Sequence, residues 1–274
     1  MLEPMDTRPL SPKHHGSPAV PVIGMGTSQT FDTDDAAAVG AVVTAGLAAG
    51  TTLFDSSPMY GKAERVLGEA LDASGQRADT IIATKVWTPD DAEAEAQLDA
   101  SASYYDGHVE LMQIHNMVEW RTRLDQVEAR RDAGQIDYIG ATHWRATEFD
   151  ALEAAMRTGR IDAIQIPYSP IEREVEQRIL PLAAELGLGV LIMRPFANGD
   201  LLASPPAAAG LTAFAEYGIT TWGQALLKWG LGHPATTTTI PATTRPERAT
   251  ENAAAGRGAP LDDAARARIA DLFS

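Results

Sequence analysis

The chain contains no cysteine. Disulfides, thiolate metal sites and cysteine nucleophiles are therefore excluded. The composition suits a reducing compartment, and the cytoplasm is the expected location. Positive charge is scarce: 22 Lys+Arg against 37 Asp+Glu leave a net charge of −15. A chain this acidic is a poor general binder of nucleic acid or of an anionic membrane. Long apolar runs are missing too. The most apolar stretch, 36–50, consists of small residues interrupted by Thr44 and three glycines. It falls short of the roughly 18 residues that a membrane span needs. The N-terminus has no apolar signal core. Residues 1–18 are rich in proline and are expected to form an extended arm. His14 and His15 lie in that arm without further ligands nearby in the sequence, so they read as solvated and no metal site is expected.

What remains is ordinary for a globular protein: 274 residues, 45% hydrophobic and 22% charged. Short apolar runs alternate with longer helical patterns. The runs lie at 22–27, 52–57, 80–86, 109–115, 138–144, 163–169, 189–195 and 238–244. The intervening segments 34–49, 62–75, 90–104, 119–133, 147–158, 172–186 and 218–231 suit amphipathic helices. Thr33-Asp34-Asp35, Pro89-Asp90-Asp91 and Thr147-Glu148 mark expected helix starts. Gly50, Gly75, Gly134, Gly159 and Gly187 mark expected ends. Pro181 is expected to separate two short helices. Eight strand–helix alternations with strands apolar on both faces predict a parallel sheet, closed as a single (β/α)8 barrel over residues 19–274. A doubly wound open sheet is the alternative. The absence of a GxGxxG speaks against it, since Gly24-Met25-Gly26 runs on without the third glycine.

Reactive groups in such a barrel cluster at the C-terminal ends of the strands. Asp55, Tyr60, Lys85 and His115 stand there. Singly, Asp55 reads equally as a cap, Tyr60 as a half-buried aromatic and His115 as a core histidine. Lys85 changes the balance, because a lysine inside an apolar strand requires a partner. Asp55 on the neighbouring strand is the natural anchor, and Tyr60 on the following loop can reach the same cation. An ammonium there is expected to lower the tyrosine pKa from about 10, making Tyr60 a proton donor. His115 can add a hydrogen bond to a developing oxyanion.

At these residues the chain resembles the aldo-keto reductase family. FDSSPMYGKAERVLGEAL is similar to its aspartate–tyrosine segment, ATKVW to its lysine strand and LMQIHN to its histidine strand. IPATTRPERATENAAA resembles its adenosine-side motif, while YIGATHW, QIPYSP and MRPFANGDLL are similar to the short bacterial members. The resemblance implies reduction of small aldehydes or ketones with NADPH, NADH being the alternative. Tyr60, Lys85, Asp55 and His115 would be catalytic. The cofactor would meet Gly26, Thr27, Asp55, Thr142, His143, Gln165, Met193, Arg194, Pro195, Phe196, Thr243, Arg248, Glu251 and Asn252. The family commonly has Ser-Asn in place of Thr142-His143. The ring-stacking position falls at Met193 or Arg194. Ala242 stands where a lysine is frequent, and Arg245 is expected to compensate. Met59, Trp87, Asn116, Met117 and Trp120 are expected to line an open, apolar substrate pocket. Two other readings remain: a cofactor-sensing subunit with little turnover, and a Schiff-base lyase using Lys85. The oligomeric state is not encoded in any motif.

Overall fold

Successive residues of a strand point to opposite faces. Strands apolar on both faces need cover inside and out, and closure into a ring ringed by helices supplies both. The computed structural model describes residues 3–273; Met1 and Leu2 of the expected arm, and Ser274 at the end of the expected barrel, lie outside it. Eight parallel strands form the ring: β3 (Met25–Gly26), β4 (Leu53–Asp55), β5 (Ile81–Val86), β6 (Val109–His115), β7 (Ile136–Thr142), β8 (Ala163–Pro167), β9 (Gly189–Met193) and β10 (Thr238–Thr239). Each pairs with its sequence neighbour. Parallel bridges from Ile23 to Thr239 and from Gly26 to Ala242 join the first strand to the last. The open-sheet alternative therefore falls.

The covering helices are α1 (Ala36–Ala48), α2 (Ala63–Ser74), α3 (Asp91–Tyr104), α4 (Trp120–Asp132), α5 (Phe149–Met156), α6 (Ile179–Leu186), the short α7 (Asp200–Ala203), α8 (Trp222–Leu231), α9 (Pro246–Ala254) and α10 (Asp263–Phe273). Asp35 caps α1 by accepting from Ala38 N at 3.0 Å, and Asp90 caps α3 by accepting from Glu93 N at 2.8 Å. Gly75 and Gly187 end α2 and α6 with φ of 67° and 63°, a left-handed backbone that suits glycine. Two helix expectations shift. The helix expected from 218 begins at Trp222, because Thr221 caps it. Pro181 does not itself break a helix. It sits in the first turn of α6, where a missing N–H costs nothing, and the break precedes it, after a 3-10 turn at Glu174–Glu176.

The N-terminal segment folds back rather than extending away. β1 (Thr7–Pro9) pairs antiparallel with β2 (Ala19–Pro21), so the expected boundary at residue 18 falls inside a hairpin. Leu10 and Val20 from this hairpin are fully buried against Leu53, Ala83, Leu111, Ala163, Leu191 and Ile240. They form an apolar floor to the barrel. The approach is so close that a Cβ on Gly189 would lie 1.8 Å from the Leu10 carbonyl oxygen. His14, expected to be solvated, is exposed but has Nε2 2.7 Å from Asp162 Oδ1, and Asp162 is itself buried.

Two residues further along the same strands, the inward positions turn polar: Asp55, Lys85, Gln113, Thr142 and Gln165, with His115 above them. Gly140 makes room for this layer, since a Cβ there would come within 2.8 Å of Gln113 Cγ. Outside the ring, α2 carries a buried carboxyl, Glu64. Its Oε1 accepts from Thr84 at 2.6 Å and from Ser101 at 2.7 Å.

Burial pushes the Glu64 carboxyl up to about 7, while the hydroxyls of Thr84 and Ser101 and the Lys85 cation pull the other way. The unfolded chain holds this group near 4.5. Between those values the folded state holds the extra proton. Its contribution to stability is therefore complete below about 4.5 and is lost as pH rises through about 7. Relative to wild type, Glu64→Gln is expected to gain about 3 kcal/mol between pH 4.5 and pH 8.5. Urea denaturation at both pH values reads this directly. A difference between the two proteins that does not change with pH would contradict it.

Candidate active site

Asp55 closes β4 and Lys85 stands in the adjacent β5, both inside the ring. Lys85 Nζ lies 2.7 Å from Asp55 Oδ2 and donates to the Ser56 carbonyl at 2.7 Å. The other carboxylate oxygen of Asp55 accepts from Gln165 Nε2 at 2.7 Å and Gln113 Nε2 at 3.1 Å. Gln165 Nε2 also reaches Gln113 Oε1 at 3.2 Å. The aspartate is thus the centre of a four-residue buried network.

Tyr60 ends a single 3-10 turn, Pro58–Tyr60, capped by Ser57, whose hydroxyl accepts from Met59 N at 3.1 Å. That turn sets the phenol over the lysine: Lys85 Nζ is 4.9 Å from the ring centroid. The His115 ring meets the Tyr60 ring edge-on at 5.8 Å and 88°. His115 Nδ1 lies 2.9 Å from Ser57 Oγ. With the serine hydrogen on Nδ1, the neutral imidazole carries its own hydrogen on Nε2.

The charge states follow. Burial alone would pull Lys85 down, but Asp55 and Tyr60 more than reverse it, so its pKa is raised and it stays an ammonium. Burial and the nearby Lys85 cation push His115 down to about 2, so it stays neutral. For Tyr60 the sequence expectation is overturned. Burial raises the phenol, Lys85 offsets only part of that, and the net direction is upward. The phenol rests fully protonated.

Thr142 ends β7 opposite His115 and beside Gln165 in register. His143 follows, and its Nδ1 accepts from Arg145 N at 3.0 Å. That bond leaves Nε2 as a donor, and burial lowers the pKa so that the ring is neutral. Met193 packs with the barrel interior, whereas Arg194, at φ 54°, turns onto the Trp144 ring at 5.3 Å. Pro195 is buried beside it. A groove of about 480 Å³ runs outward between Phe196, Thr221, Thr243, Arg248, Glu251 and Asn252. Within it Arg248 is engaged by both Glu251 oxygens at 2.8 Å. Next to it Arg245, whose backbone N donates to Thr243 Oγ1 at 3.1 Å, has no carboxylate within reach of its guanidinium among the described residues. Gly26 lies in the strand closure against Ala242, and the Thr27 hydroxyl is spent on the Asp55 carbonyl and Ser56.

The expected substrate pocket divides. Met59 and Trp87 are exposed at the mouth, 46% and 38%. Asn116 and Met117 follow His115 with φ of 53° and 54°. Met117 is buried in the core and Trp120 packs partly against it, so neither opens fully to the mouth. Three participants lie outside the sequence expectations: Ser56, Ser57 and Gln113. Gln113 carries the same signal as Lys85, a polar residue inside an apolar strand.

The Aldo/keto reductase family model matches residues 22–273. An aldo-keto reductase of Mycobacterium sp. (strain KMS) is 31% identical over 248 residues, 85% of this chain and 83% of that protein. The oxidoreductase YrpG of Bacillus subtilis (strain 168) is 29% identical over 56% of this chain and 55% of its own length. The match therefore spans about half of that relative. Among solved structures, an aldo-keto reductase from Klebsiella pneumoniae in complex with NADPH superposes with a TM-score of 0.80 at 23% identity, over 97% of this chain and 95% of that one.

The low His115 pKa has a thermodynamic consequence. Unfolded, the ring titrates near 6.5; folded, near 2. Only the unfolded state takes the proton in between, so stability falls as pH drops below about 6.5, by up to about 1.4 kcal/mol per pH unit. His115→Asn is expected to lose less stability than wild type between pH 6.5 and 4.5. Parallel losses in thermal denaturation would refute this.

Proposed function

This chain belongs to the aldo/keto reductase family, and from that premise we propose that it reduces small aldehydes or ketones to alcohols with NADPH. The observation that carries the reading is the ammonium of Lys85, pinned by Asp55 inside the barrel and in contact with Tyr60. The residues around it suit a dinucleotide. His143 offers Nε2–H, and Gln165 keeps its oxygen clear of the Asp55 contact, a donor and an acceptor for a carboxamide. Met193, whose side chain belongs to the barrel interior, suits the face of a nicotinamide ring. Arg245 precedes α9, and its unpaired guanidinium suits a 2′-phosphate better than Arg248, which Glu251 already holds. What the dinucleotide supplies when bound is the hydride for the carbonyl carbon.

The chain's own groups manage the oxygen. Tyr60, protonated at rest, hydrogen-bonds the carbonyl and gives up its proton as charge develops there. Lys85 stabilises the phenolate left behind, at the moment when that charge appears. His115, held neutral, donates from Nε2 to the same oxygen and takes no proton. A Schiff base on Lys85 would require the free amine. Asp55 and Tyr60 hold it charged, against that chemistry.

Tyr60→Phe is expected to lower kcat by about 10²- to 10⁴-fold with NADPH affinity changed less than about threefold. Stopped-flow or steady-state oxidation of NADPH with a panel of aromatic aldehydes, and fluorescence titration of NADPH, measure the two. Undiminished turnover removes Tyr60 as the acid. Tight NADPH binding by wild type with no turnover on any aldehyde favours a sensing subunit instead.

A further inference from the structure

Acids outnumber bases 37 to 22 in this chain, so a base without an acid partner needs a reason. Among the described residues the guanidiniums of Arg121, Arg145, Arg245 and Arg268 have no carboxylate within 4.0 Å, whereas Arg130 alone holds two and Arg160 another two. Arg8 and Arg257 are accounted for by backbone carbonyls. Arg268 stacks on Phe214 of the outer layer. Arg245 lies at the groove already described. Arg121 and Arg145 are explained by none of these.

Both belong to the mouth of the barrel. Arg121 follows β6 and Arg145 follows β7, and these strands are paired up to His115 and Thr142 at their ends. Each guanidinium lies over an indole: Arg121 over Trp120 at 4.2 Å and Arg145 over Trp144 at 4.4 Å. Trp144 is 41% exposed and carries Arg194 as well, at 5.3 Å. Glu172, 3.4 Å from Arg194, balances that second cation but not Arg145. Stacking fixes the plane of a guanidinium and leaves its in-plane N–H groups at the edge, the geometry that a carboxylate accepts in two bonds. Arg121 also stands in the first turn of α4, at the end of a helix where a cation is disfavoured. Two cations without an ion-pair partner thus lie over aromatic surface after the strand ends that carry His115 and Thr142–His143, with the Glu148 carboxylate near His143 but beyond ion-pair distance of Arg145.

We propose that the carbonyl substrate carries a carboxylate on an apolar or aromatic body, with the body against the exposed indole of Trp144 and the carboxylate held by Arg145 and Arg121. This rests on the reading of the chain as a carbonyl reductase and adds to it the class of compound reduced. Arg121 and Arg145 are then selectivity residues, and the field of the rim draws anions toward a mouth that the rest of the protein's charge would repel.

The test compares 4-carboxybenzaldehyde with methyl 4-formylbenzoate in the NADPH-loaded protein. The kcat/KM ratio is expected to favour the carboxylate by about tenfold at low ionic strength, the sum of two exposed charge pairs. It is expected to shrink as salt is added. Arg121→Ala/Arg145→Ala brings the ratio to about one, and Arg145→Glu takes it below one. Arg268→Ala leaves it as in wild type. Benzoate titration followed by tryptophan fluorescence gives a readout independent of turnover, and the double variant is expected to lose that binding. Equal rates on the two aldehydes without benzoate binding overturn the anion rim while the reductase reading stands. Benzoate binding lost in the double variant, with neither aldehyde reduced, sustains the rim and overturns the reductase reading. Loss of NADPH affinity in the double variant with the tenfold ratio retained assigns the two arginines to the cofactor and also overturns the proposal.

Discussion

The contact between Asp55 and Lys85, 2.7 Å long with both side chains buried, is the one on which the interior of this barrel depends. Neither charge could be held there alone. An isolated buried ammonium or carboxylate loses its hydration, and removing one partner of such a pair typically destabilises by about 3–5 kcal/mol. The pair does more than cancel charge. One oxygen of Asp55 takes the lysine and the other takes the amides of Gln113 and Gln165, so a single carboxylate fixes side chains from β4, β5, β6 and β8. The position of Tyr60 relative to the ammonium, and of Gln165 relative to the barrel mouth, follow from it.

Within that frame two effects compete at Tyr60, and burial wins. The phenol is therefore no readier to ionise than free tyrosine while the site is at rest. This suits an acid that must hold its proton until a substrate arrives. The Lys85 cation is worth more to the phenolate than to the phenol, so its influence grows as the proton leaves. In the proposed reduction the acidity that matters would belong to the transition state, where hydride reaches the carbonyl carbon and the carbonyl oxygen and the phenol share the proton between them. The neutral His115 fits the same logic. In the proposed reaction a ring pushed down to about 2 would not compete for the proton and would act only as a donor.

Much of this arrangement is legible in the amino-acid order alone. The alternation of apolar runs and helical segments predicts the closed barrel, because strands apolar on both faces admit few other solutions. Lys85 is conspicuous as a cation in an apolar strand, and the neighbouring acid follows from strand order. The hydrogen-bonding roles of Ser57 and Gln113 are not legible, since a serine in a turn or a glutamine in a strand has many fates until the register is known. The direction of the Tyr60 shift escapes for a related reason: sequence reveals the partner but not the depth of burial, and here depth decides. The hairpin of β1 and β2 reads as an arm because its prolines suit an extended chain equally well. Only the close approach of Leu10 to Gly189 reveals where that chain goes. The family resemblance, rather than the order itself, points Met117 and Trp120 toward the mouth. The left-handed backbone at Asn116 and Met117 instead turns the chain so that Met117 enters the core.

The hairpin bears on the chemistry from the far end of the barrel. Leu10 and Val20 complete an apolar layer with five strand residues and Ile240, which follows β10, directly beneath the polar one. A charge pair inside a dry, closed layer interacts far more strongly than one in contact with water. Without the floor, solvent could reach Lys85 from below, hydrate it, and weaken both its hold on Asp55 and its stabilisation of the phenolate. The two layers are thus one device: apolar residues at one level of the strands keep water out, so that at the next level a single carboxylate can hold an ammonium, and the ammonium can await the charge on the phenol.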